Sequence, residues 1–174
     1  MKFHKSIVQT TCPSPLGAIA LAATSKGLAG LWFIDGQRYL PEEVAGLAQW
    51  PADPDHPVLK QASRQLAEYF AGRRKHFDVP LDLDGGTAFQ QSVWQALLAI
   101  PPGGTASYGE VSRRIGKPLA MRAVGAAVGR NPVSIIVPCH RVMGSDGSLT
   151  GYGGGLHRKV ALLRLEGIPL EKLP

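Results

Sequence analysis

The apolar positions in the first part of the chain predict a small antiparallel sheet followed by one helix. Between Ile7 and Ile34, two apolar runs, GAIALAAT and LAGLWFID, are separated by Ser25-Lys26-Gly27, which suits a hairpin turn. Proline and acidic residues dominate 41–57 and indicate a loop. In HPVLKQASRQLAEYFAG the apolar residues recur at helical spacing, with Pro57 in the first turn and Gly72 as the stop.

The second part of the chain is predicted to be mostly helical. The charged, glycine-containing stretch 73–87 has no helical period and marks a boundary. Three later segments have helical spacing, namely AFQQSVWQALLAI, LAMRAVGAAVGRN and LHRKVALLRLEG. A fourth, SYGEVSRRIG, begins with Ser107 and has Glu110 three residues later, which is the capping-box pattern. We therefore expect an α+β protein with two domains, residues 1–85 and 86–174.

Two of these helices form a predicted helix-turn-helix, because Gly116-Lys117-Pro118 breaks the chain between them. The second helix carries only Arg122 and Arg130 as large polar residues, whereas a helix that reads the major groove displays several long side chains. Small side chains suit either tight packing in a core or close approach to the minor groove, with Arg122 projecting into the duplex. The small residues are Ala120, Ala123, Gly125, Ala126 and Ala127.

The segment VSIIVPCHRV carries the most reactive side chains, since an apolar run leads to Pro138 and then to Cys139 and His140. The run predicts a buried strand, and we expect a turn after Pro138. Three interpretations of the thiol are open: an inert buried cysteine, a zinc ligand or a nucleophile. The zinc site is disfavoured because the chain has no CxxC or HxxxH partner. A nucleophile needs a nearby base, and a turn would let the imidazole serve the thiol directly or through water.

Charge is distributed unevenly along the 174 residues, which carry a formal net charge of +6. Residues 1–88 contain nine Lys/Arg and nine Asp/Glu, whereas residues 89–174 contain ten and four. The excess therefore lies in the part that contains Cys139, and seven of its ten cations are arginines. This pattern fits either a solvated basic face or a polyanionic partner, and arginine is suited to bidentate contacts with phosphate.

Composition limits the compartment and the class of protein. The chain has no apolar stretch near 18 residues and no secretory leader pattern, so we expect no membrane span. Its two cysteines, Cys12 and Cys139, do not make a disulfide framework. We therefore expect a protein of the reducing cytoplasm, associated with the nucleoid if its partner is DNA.

Several motifs together resemble the O6-alkylguanine-DNA alkyltransferase family, whose signature I-P-C-H-R-V appears here as VPCHRV. The resemblance extends through FQQSVWQALLAIPPGGTASYGEV, MRAVGAAVGRNP and TGYGGGLHRKVALLRLEG, and more weakly through the N-terminal half. Within the family, the chain looks like a bacterial member of the constitutive type, without an appended transcription-activating domain. The resemblance implies an N-terminal ribonuclease-H-like sheet with a helix, and a helical C-terminal domain with the helix-turn-helix.

The family's activity implies a catalytic role for four residues of this chain. Cys139 is expected to take the alkyl group irreversibly from O6 of a flipped-out guanine in double-stranded DNA, and also from O4-alkylthymine. His140 is expected to act through water as its base, oriented by Glu166. Asn131 is expected to hold the turn that presents the active-site segment. Each protein molecule would then act once, as a methylated-DNA–protein-cysteine methyltransferase without a cofactor.

The resemblance also implies the residues that bind the base and the DNA. Tyr108 would bind the guanine ring nitrogen and help to protonate the departing base, and the backbone of Cys139 and Val142 would accept from the exocyclic amine. Gly153 N–H would donate to O6, and Arg122 would replace the flipped base in the stack. The wall of the alkyl pocket is expected at Tyr152, Gly153 and Gly154. Further DNA contacts are expected at Ala120, Ala123, Ala127, Arg130 and Arg141.

The chain departs from family patterns in two places. Some relatives bind a structural zinc ion in the N-terminal domain, but here only Cys12, His4, His56 and His76 are available, so we expect no metal. A position that is often serine in the family is Gly153, which removes a hydroxyl contact to the base.

Three other functions compete with alkyl transfer as interpretations of the sequence. Alkyltransferase-like proteins, which bind lesions without repair, carry tryptophan in place of Cys139. A helix-turn-helix regulator would need more base-reading side chains, and a cysteine hydrolase would not normally use adjacent Cys139 and His140. The expected partner is alkylated duplex DNA, bound by a monomer or by a cooperative assembly on DNA.

Overall fold

The computed structural model describes residues 1–46 and 49–169. The chain divides into two compact units, Met1–Gly86 and Thr87–Pro174. The first unit contains an antiparallel sheet and a helix, and the second is mainly helical. The protein therefore has an α+β fold, as its sequence predicts.

The sheet of the N-terminal unit consists of β1 (Val8–Cys12), β2 (Ile19–Thr24) and β3 (Gly27–Phe33) in the order β1-β2-β3. Both pairs are antiparallel, which confirms the predicted sheet and its hairpin. The predicted helix is also confirmed as α1 (Pro57–Phe70), which begins at a proline and packs against β2 and β3. Proline suits this position because the first helical N–H groups need no intrahelical partner.

Strands β2 and β3 are buried along their whole length. Because successive side chains of a strand point to opposite faces, this burial requires cover on both faces of the sheet. Helix α1 supplies one cover, and an aromatic cluster of Phe3, Trp32 and Trp50 forms a separate apolar group. The Trp32 ring lies over Gly30, where a Cβ atom would come within 1.9 Å of it, so glycine is required there.

Four helices form the C-terminal unit: α2 (Ala88–Leu98), α3 (Tyr108–Arg114), α4 (Met121–Gly129) and α5 (Leu156–Leu165). All four correspond to predicted helices, and α3 and α4 form the helix-turn-helix. The predicted capping box of α3 is present, since Ser107 accepts from Glu110 N and Glu110 accepts from Ser107 N.

A short parallel ladder joins β4 (Ala106–Ser107) to β5 (Val142–Met143). Since Tyr108 directly follows β4, the ladder places the start of α3 beside the segment that contains Cys139. A second tie joins α2 to α4, because Trp94 Nε1 donates to Ala127 O at 2.9 Å.

The prediction of a strand before Cys139 is wrong. Val137 N bonds to Val133 O at 3.0 Å, Ile136 N bonds to Ser134 O at 2.8 Å, and Ile135 has a φ of 71°. These bonds fold the segment back on itself as consecutive turns. A short, fully buried apolar run has no hydrophobic period that distinguishes a strand from a compact turn, and this segment adopts the turns.

Within the described ranges, none of the helices is long and apolar enough to cross a membrane. The same residues contain no group of three or more His, Cys, Asp and Glu side chains arranged to hold a metal ion. The expected lack of zinc in the N-terminal domain stays a prediction.

Candidate active site

The thiol lies on a single 3-10 turn, Cys139–Arg141, which follows Pro138. Cys139 N donates to Val137 O at 2.8 Å, so the chain turns at the proline as expected. In an extended segment, neighbouring side chains would point to opposite sides, and the turn removes that restriction for Cys139 and His140. Both are buried, with exposed fractions of 6% and 0%.

Asn131 connects the end of α4 to this turn. Its Nδ2 donates to Val137 O at 2.7 Å and to Cys139 Sγ at 3.1 Å, and its Oδ1 accepts from Val133 N at 3.0 Å. One buried amide therefore fixes both ends of the apolar turn and also contacts the sulfur. A donor at this distance stabilises the thiolate more than the neutral thiol.

A buried ionic triad lies on the other side of the turn. His140 Nε2 is 2.8 Å from Glu166 Oε1. Arg141 donates to the same carboxylate from Nε to Oε2 and from Nη2 to Oε1, each at 2.8 Å. Arg141 Nη1 also donates to Ile100 O at 2.5 Å. The Glu166 side chain is only 3% exposed, so its orientation is set by the protein and not by solvent.

The triad determines which imidazole nitrogen carries the proton. Burial by itself raises the pKa of Glu166, but hydrogen bonds from Arg141 and His140 outweigh it and lower the pKa to about 2. Glu166 is therefore ionised and accepts from His140 Nε2–H. Burial lowers the pKa of His140, opposed by the Glu166 hydrogen bond and charge, so the ring is neutral and Nδ1 keeps its lone pair. Nδ1 is buried and has no hydrogen-bond partner within the described residues.

The thiol is protonated at rest. Burial raises the pKa of Cys139, while the hydrogen bond from Asn131 and the charge of Lys159 act in the opposite direction. A protonated thiol beside a neutral imidazole is the starting state of general-base catalysis, in which the proton moves as the sulfur reacts.

Lys159 is a site residue that the sequence analysis missed. Its side chain is fully buried, and Nζ donates to Val142 O and, at 2.9 Å, to Thr150 O. Burial lowers the pKa of Lys159 to about 8, and a negative charge on Cys139, once its thiol ionises, acts to raise it. The helical period contained a signal, because Lys159 precedes the buried Leu162 and Leu163 by one turn of α5.

Two tyrosines lie within electrostatic reach of the sulfur. Burial raises the pKa of Tyr108, and its hydroxyl donates to Gly151 O at 3.5 Å. The hydroxyl of Tyr152 is buried, and burial raises its pKa well above the ordinary value, as does the charge of Cys139. Both phenols therefore stay protonated as hydrogen-bond donors through the physiological range.

The glycine run after Tyr152 combines two local conformations. Gly155 has a φ of 90°, a conformation that favours glycine, whereas Gly153 and Gly154 are outside that region. Gly154 is buried and its carbonyl accepts from Arg158 Nη1 at 2.9 Å. A Cβ on Gly153 would lie 3.6 Å from Gly129 O, an ordinary contact.

Two of the expected DNA contacts are corrected. Arg141 is only 6% exposed because Glu166 and a backbone carbonyl hold it inside the protein, so we reassign it from binding DNA to positioning the triad. Ala127 is 2% exposed because it faces α2, where its carbonyl accepts from Trp94. It is therefore packed in the core and does not belong to the DNA-facing surface.

The backbone acceptors proposed for the base already have internal partners. Val142 O accepts from Lys159 Nζ, and Cys139 O accepts from Val142 N. Because a carbonyl oxygen has two lone pairs, each can take a second donor. In the expected contact, each carbonyl oxygen would therefore accept from the exocyclic amine and from its internal donor at the same time.

The remaining residues of the helix-turn-helix form a basic surface. Arg122, Ala123 and Arg130 of this motif are exposed and Ala120 is half-buried. The exposed cations are Arg113, Arg114, Lys117, Arg122 and Arg130. The sequence contains no Asp or Glu between residues 111 and 145, so the surface is predominantly positive, with Glu110 at the start of α3 as an exposed carboxylate beside Arg113 and Arg114.

Comparison with known families matches both units. Residues 7–83 match the family model described as the ribonuclease-like domain of 6-O-methylguanine DNA methyltransferase, and residues 88–168 match its DNA binding domain. The methylated-DNA–protein-cysteine methyltransferase of Mycobacterium leprae is 51% identical over 153 residues, which cover 88% of each chain. The enzyme of that name from Methanosarcina acetivorans is 50% identical over 154 residues, covering 88% of this chain and 94% of the other.

The chain belongs to the 6-O-methylguanine DNA methyltransferase family. Solved structures agree with this assignment across the whole fold. A crystal structure of the Mycobacterium tuberculosis protein OGT in complex with DNA matches with a TM-score of 0.83 and 49% identity, covering 95% of this chain and 94% of the other. The structure of the O6-methylguanine methyltransferase of the same organism matches with a TM-score of 0.80, 51% identity and 92% coverage of both chains.

Proposed function

We propose that this protein repairs DNA directly by transferring the alkyl group of O6-alkylguanine, and of O4-alkylthymine, to Cys139. Membership of the family supports the reaction class. The observation that carries the proposal is the arrangement around the sulfur, where Asn131 donates to Cys139 and Glu166 fixes the neutral tautomer of His140. These residues provide a nucleophile, a base and the group that orients the base.

In the proposed reaction, sulfur attacks the alkyl carbon and the bond from that carbon to O6 breaks. The thiol proton passes through a water molecule to His140 Nδ1, and Glu166 stabilises the imidazolium that forms. Asn131 and Lys159 stabilise negative charge on the sulfur as the proton leaves. The proton finally neutralises the departing guanine, so the products are an S-alkylcysteine and an intact base.

In the proposal, the departing base forms hydrogen bonds with residues at the start of α3, in the glycine run and in the turn that contains Cys139. Tyr108 is the proposed donor to the ring nitrogen on the minor-groove side, since its raised pKa keeps it protonated. Gly153 N–H is the proposed donor to O6, and the carbonyls of Cys139 and Val142 receive the exocyclic amine. Tyr152 and Gly154 line the alkyl group in this proposal.

DNA capture belongs to the helix-turn-helix, with residues 86–174 as the DNA-binding and transfer domain and residues 1–85 as the ribonuclease-like domain. The proposed substrate is double-stranded DNA, bound through the minor groove, with Arg122 filling the space of the flipped base. Ala120, Ala123 and Arg130 support the approach of α4. Flipping costs a few kcal/mol, which these contacts offset. We place the protein in the cytoplasm at the nucleoid, acting as a monomer or as a cooperative assembly on DNA.

Mass spectrometry of the Cys139 peptide tests the proposed function. Trypsin releases the fragment from Asn131 to Arg141, which contains Cys139 and no other cysteine. After incubation with a duplex that contains O6-methylguanine, this fragment should gain the mass of one methylene group. The fragment that contains Cys12 should be unchanged and serves as the internal control. An unmodified Cys139 peptide after complete loss of the lesion from the DNA would contradict the proposal.

A further inference from the structure

Two large apolar side chains protrude from the turn of the helix-turn-helix. Leu119 is 97% exposed, the most of any large hydrophobic residue in the described part of the chain, and Met121 is 53% exposed. Single exposed apolar residues are common and need no explanation. These two differ because they flank Ala120 immediately before Arg122, at the point where α4 begins.

The backbone that carries Leu119 is fixed by hydrogen bonds. Lys117 N donates to Ser112 O and Ala120 N donates to Lys117 O, both at 2.9 Å. The Ser112 hydroxyl also donates to Lys117 O. Val124 N then donates to Ala120 O at 2.9 Å, which continues the chain into α4. The backbone at Leu119 is therefore already ordered, so a contact made there has to order only the side chain.

The surroundings of this pair indicate the partner. Exposed cations lie on both sides of it, including Lys117 and Arg122, and the acid-free stretch extends from residue 111 to 145. Met121 Sδ lies 3.6 Å from the position that a Cβ on Gly109 would occupy, so it packs over the first turn of α3 next to Tyr108. Leu119 and Met121 are thus an apolar pair within a basic surface, next to the proposed base pocket. Duplex DNA has the complementary character, because its phosphates are anionic and its stacked bases are apolar.

We propose that Leu119 and Met121 form an apolar wedge that enters the minor groove beside Arg122 and packs against bases exposed when the lesion leaves the stack. This inference rests on the proposed function. Leucine and methionine are among the side chains that minor-groove proteins insert between base steps. Because the wedge carries no charge, it adds no phosphate contact, so its contribution is separable from that of the cations.

Binding experiments in a Cys139→Ser background isolate the wedge from the transfer reaction. Leu119→Ala, Met121→Ala and the double variant are titrated with a duplex containing one O6-methylguanine and with the same lesion strand alone. The double variant should bind the duplex about tenfold more weakly, since it loses burial of two apolar side chains. Its slope of log affinity against log salt should stay unchanged, and the single strand should show little loss. Leu98→Ala, an exposed leucine on α2, is the matched control and should bind normally.

A fluorescent base analogue placed beside the lesion reports unstacking directly. At saturating protein, the double variant should give weaker fluorescence than the parent. On the Cys139-containing background, both should react with free O6-benzylguanine at the same rate. Unchanged duplex affinity and fluorescence, or equal losses on duplex, single strand and free base, would overturn the wedge. Weaker binding to anionic phospholipid vesicles without loss on the duplex would also overturn it and assign the pair to a membrane surface.

These outcomes are distinguishable from failure of the proposed function. If the unaltered protein accepted no alkyl group from the methylated duplex and none from free O6-benzylguanine, the transfer proposal would be wrong. Duplex affinity and fluorescence would still decide for or against the wedge, because neither measurement requires transfer.

Discussion

Two regions of the C-terminal unit use charge in opposite ways. Around Cys139 the ionic groups are buried and held by several partners, as in the two contacts of Arg141 with Glu166 and the two carbonyls bound by Lys159. On the helix-turn-helix, five cations between Arg113 and Arg130 are exposed to solvent. The first region fixes protons and geometry, and the second offers a positive field with little geometric constraint.

This difference predicts different responses to salt and to pH. Buried charges are screened weakly by ions, but they shift each other's pKa values, so chemistry at Cys139 should depend on pH and little on salt. Exposed cations act by releasing counterions from DNA, so capture should depend strongly on salt. Measurements that separate the two regions therefore test the comparison itself.

The largest expected effect is complete loss of transfer in Cys139→Ser. The hydroxyl is a much weaker nucleophile, whereas the basic surface is untouched, so lesion binding should persist. In the unaltered protein, no second cysteine lies near Cys139 in sequence and a thioether is a poor leaving group, so each molecule should remove one alkyl group. Titration of lesion against protein measures this stoichiometry. Repeated turnover with excess methylated DNA would break the prediction.

The next largest effect is expected in His140→Ala, which removes the base and should slow the reaction about 10²- to 10⁴-fold. Because burial lowers the pKa of His140, the unaltered protein should lose activity on the acid side as pH falls through that lowered pKa. The variant must rely on free thiolate, so its rate should rise steeply with pH towards the raised pKa of Cys139. Reaction with free O6-benzylguanine measures both profiles. Identical pH profiles would leave His140 as a packing residue.

Acid stability should depend on Glu166. Its pKa is lowered from 4.5 to about 2 in the folded protein, so its contribution to stability is present above pH 4.5 and is lost as pH falls towards 2. The shift corresponds to a loss on the order of 3 kcal/mol. Denaturant unfolding at several pH values should show this decline in the unaltered protein. Glu166→Gln should start less stable, because Arg141 loses its counterion, but decline less over the same range. A parallel decline would place the acid sensitivity elsewhere.

Arg122→Ala should weaken duplex binding and transfer about tenfold or more, because it removes both a cation and the group that fills the flipped base's space. Arg164→Ala is the matched control, since Arg164 is exposed on α5, and should have little effect. Arg158 is unsuitable as a control because it is buried and bonded to Gly154 O. Reaction with the free base should be normal in both variants. Equal impairment of duplex and free-base reactions by Arg122→Ala would remove its role in flipping.

The smallest expected effect concerns the width of the alkyl pocket. Gly154→Leu should spare methyl transfer and reduce transfer from O6-benzylguanine, because the positive φ that requires glycine belongs to Gly155 and not to Gly154. Gly155→Ala is the comparison, since a non-glycine residue at its φ of 90° costs roughly 1–2 kcal/mol. That variant should lose thermal stability and react more slowly with both substrates. The same pattern in Gly154→Leu would show that Gly154 serves the backbone conformation.

The sequence was sufficient for features with a local signal. Helical spacing and the Ser107–Glu110 capping box predict α3, and the signature around Cys139 predicts this residue as the nucleophile. The sequence does not predict the turns between Val133 and Val137, because a buried run of this length has no distinguishing period.

The sequence failed where the partner of a residue is distant along the chain. Arg141 was expected on the surface, as most arginines are, but the carboxylate that buries it is 25 residues away. Lys159 was missed for the same reason, since its acceptors are backbone carbonyls on other segments. Local patterns therefore locate the reactive atom, whereas the charges that control it emerge only from the folded chain.

The burial of Cys139 also matters between encounters with damage. Peroxides and small electrophiles react with thiolate, and Cys139, which is 6% exposed and has a raised pKa, offers little of it. A protein consumed by one reaction loses its entire capacity if the sulfur is oxidised first. The residues that cover Cys139 therefore also protect the unreacted thiol from oxidation. How long the protein stays competent depends on how rarely the fold opens and exposes the sulfur.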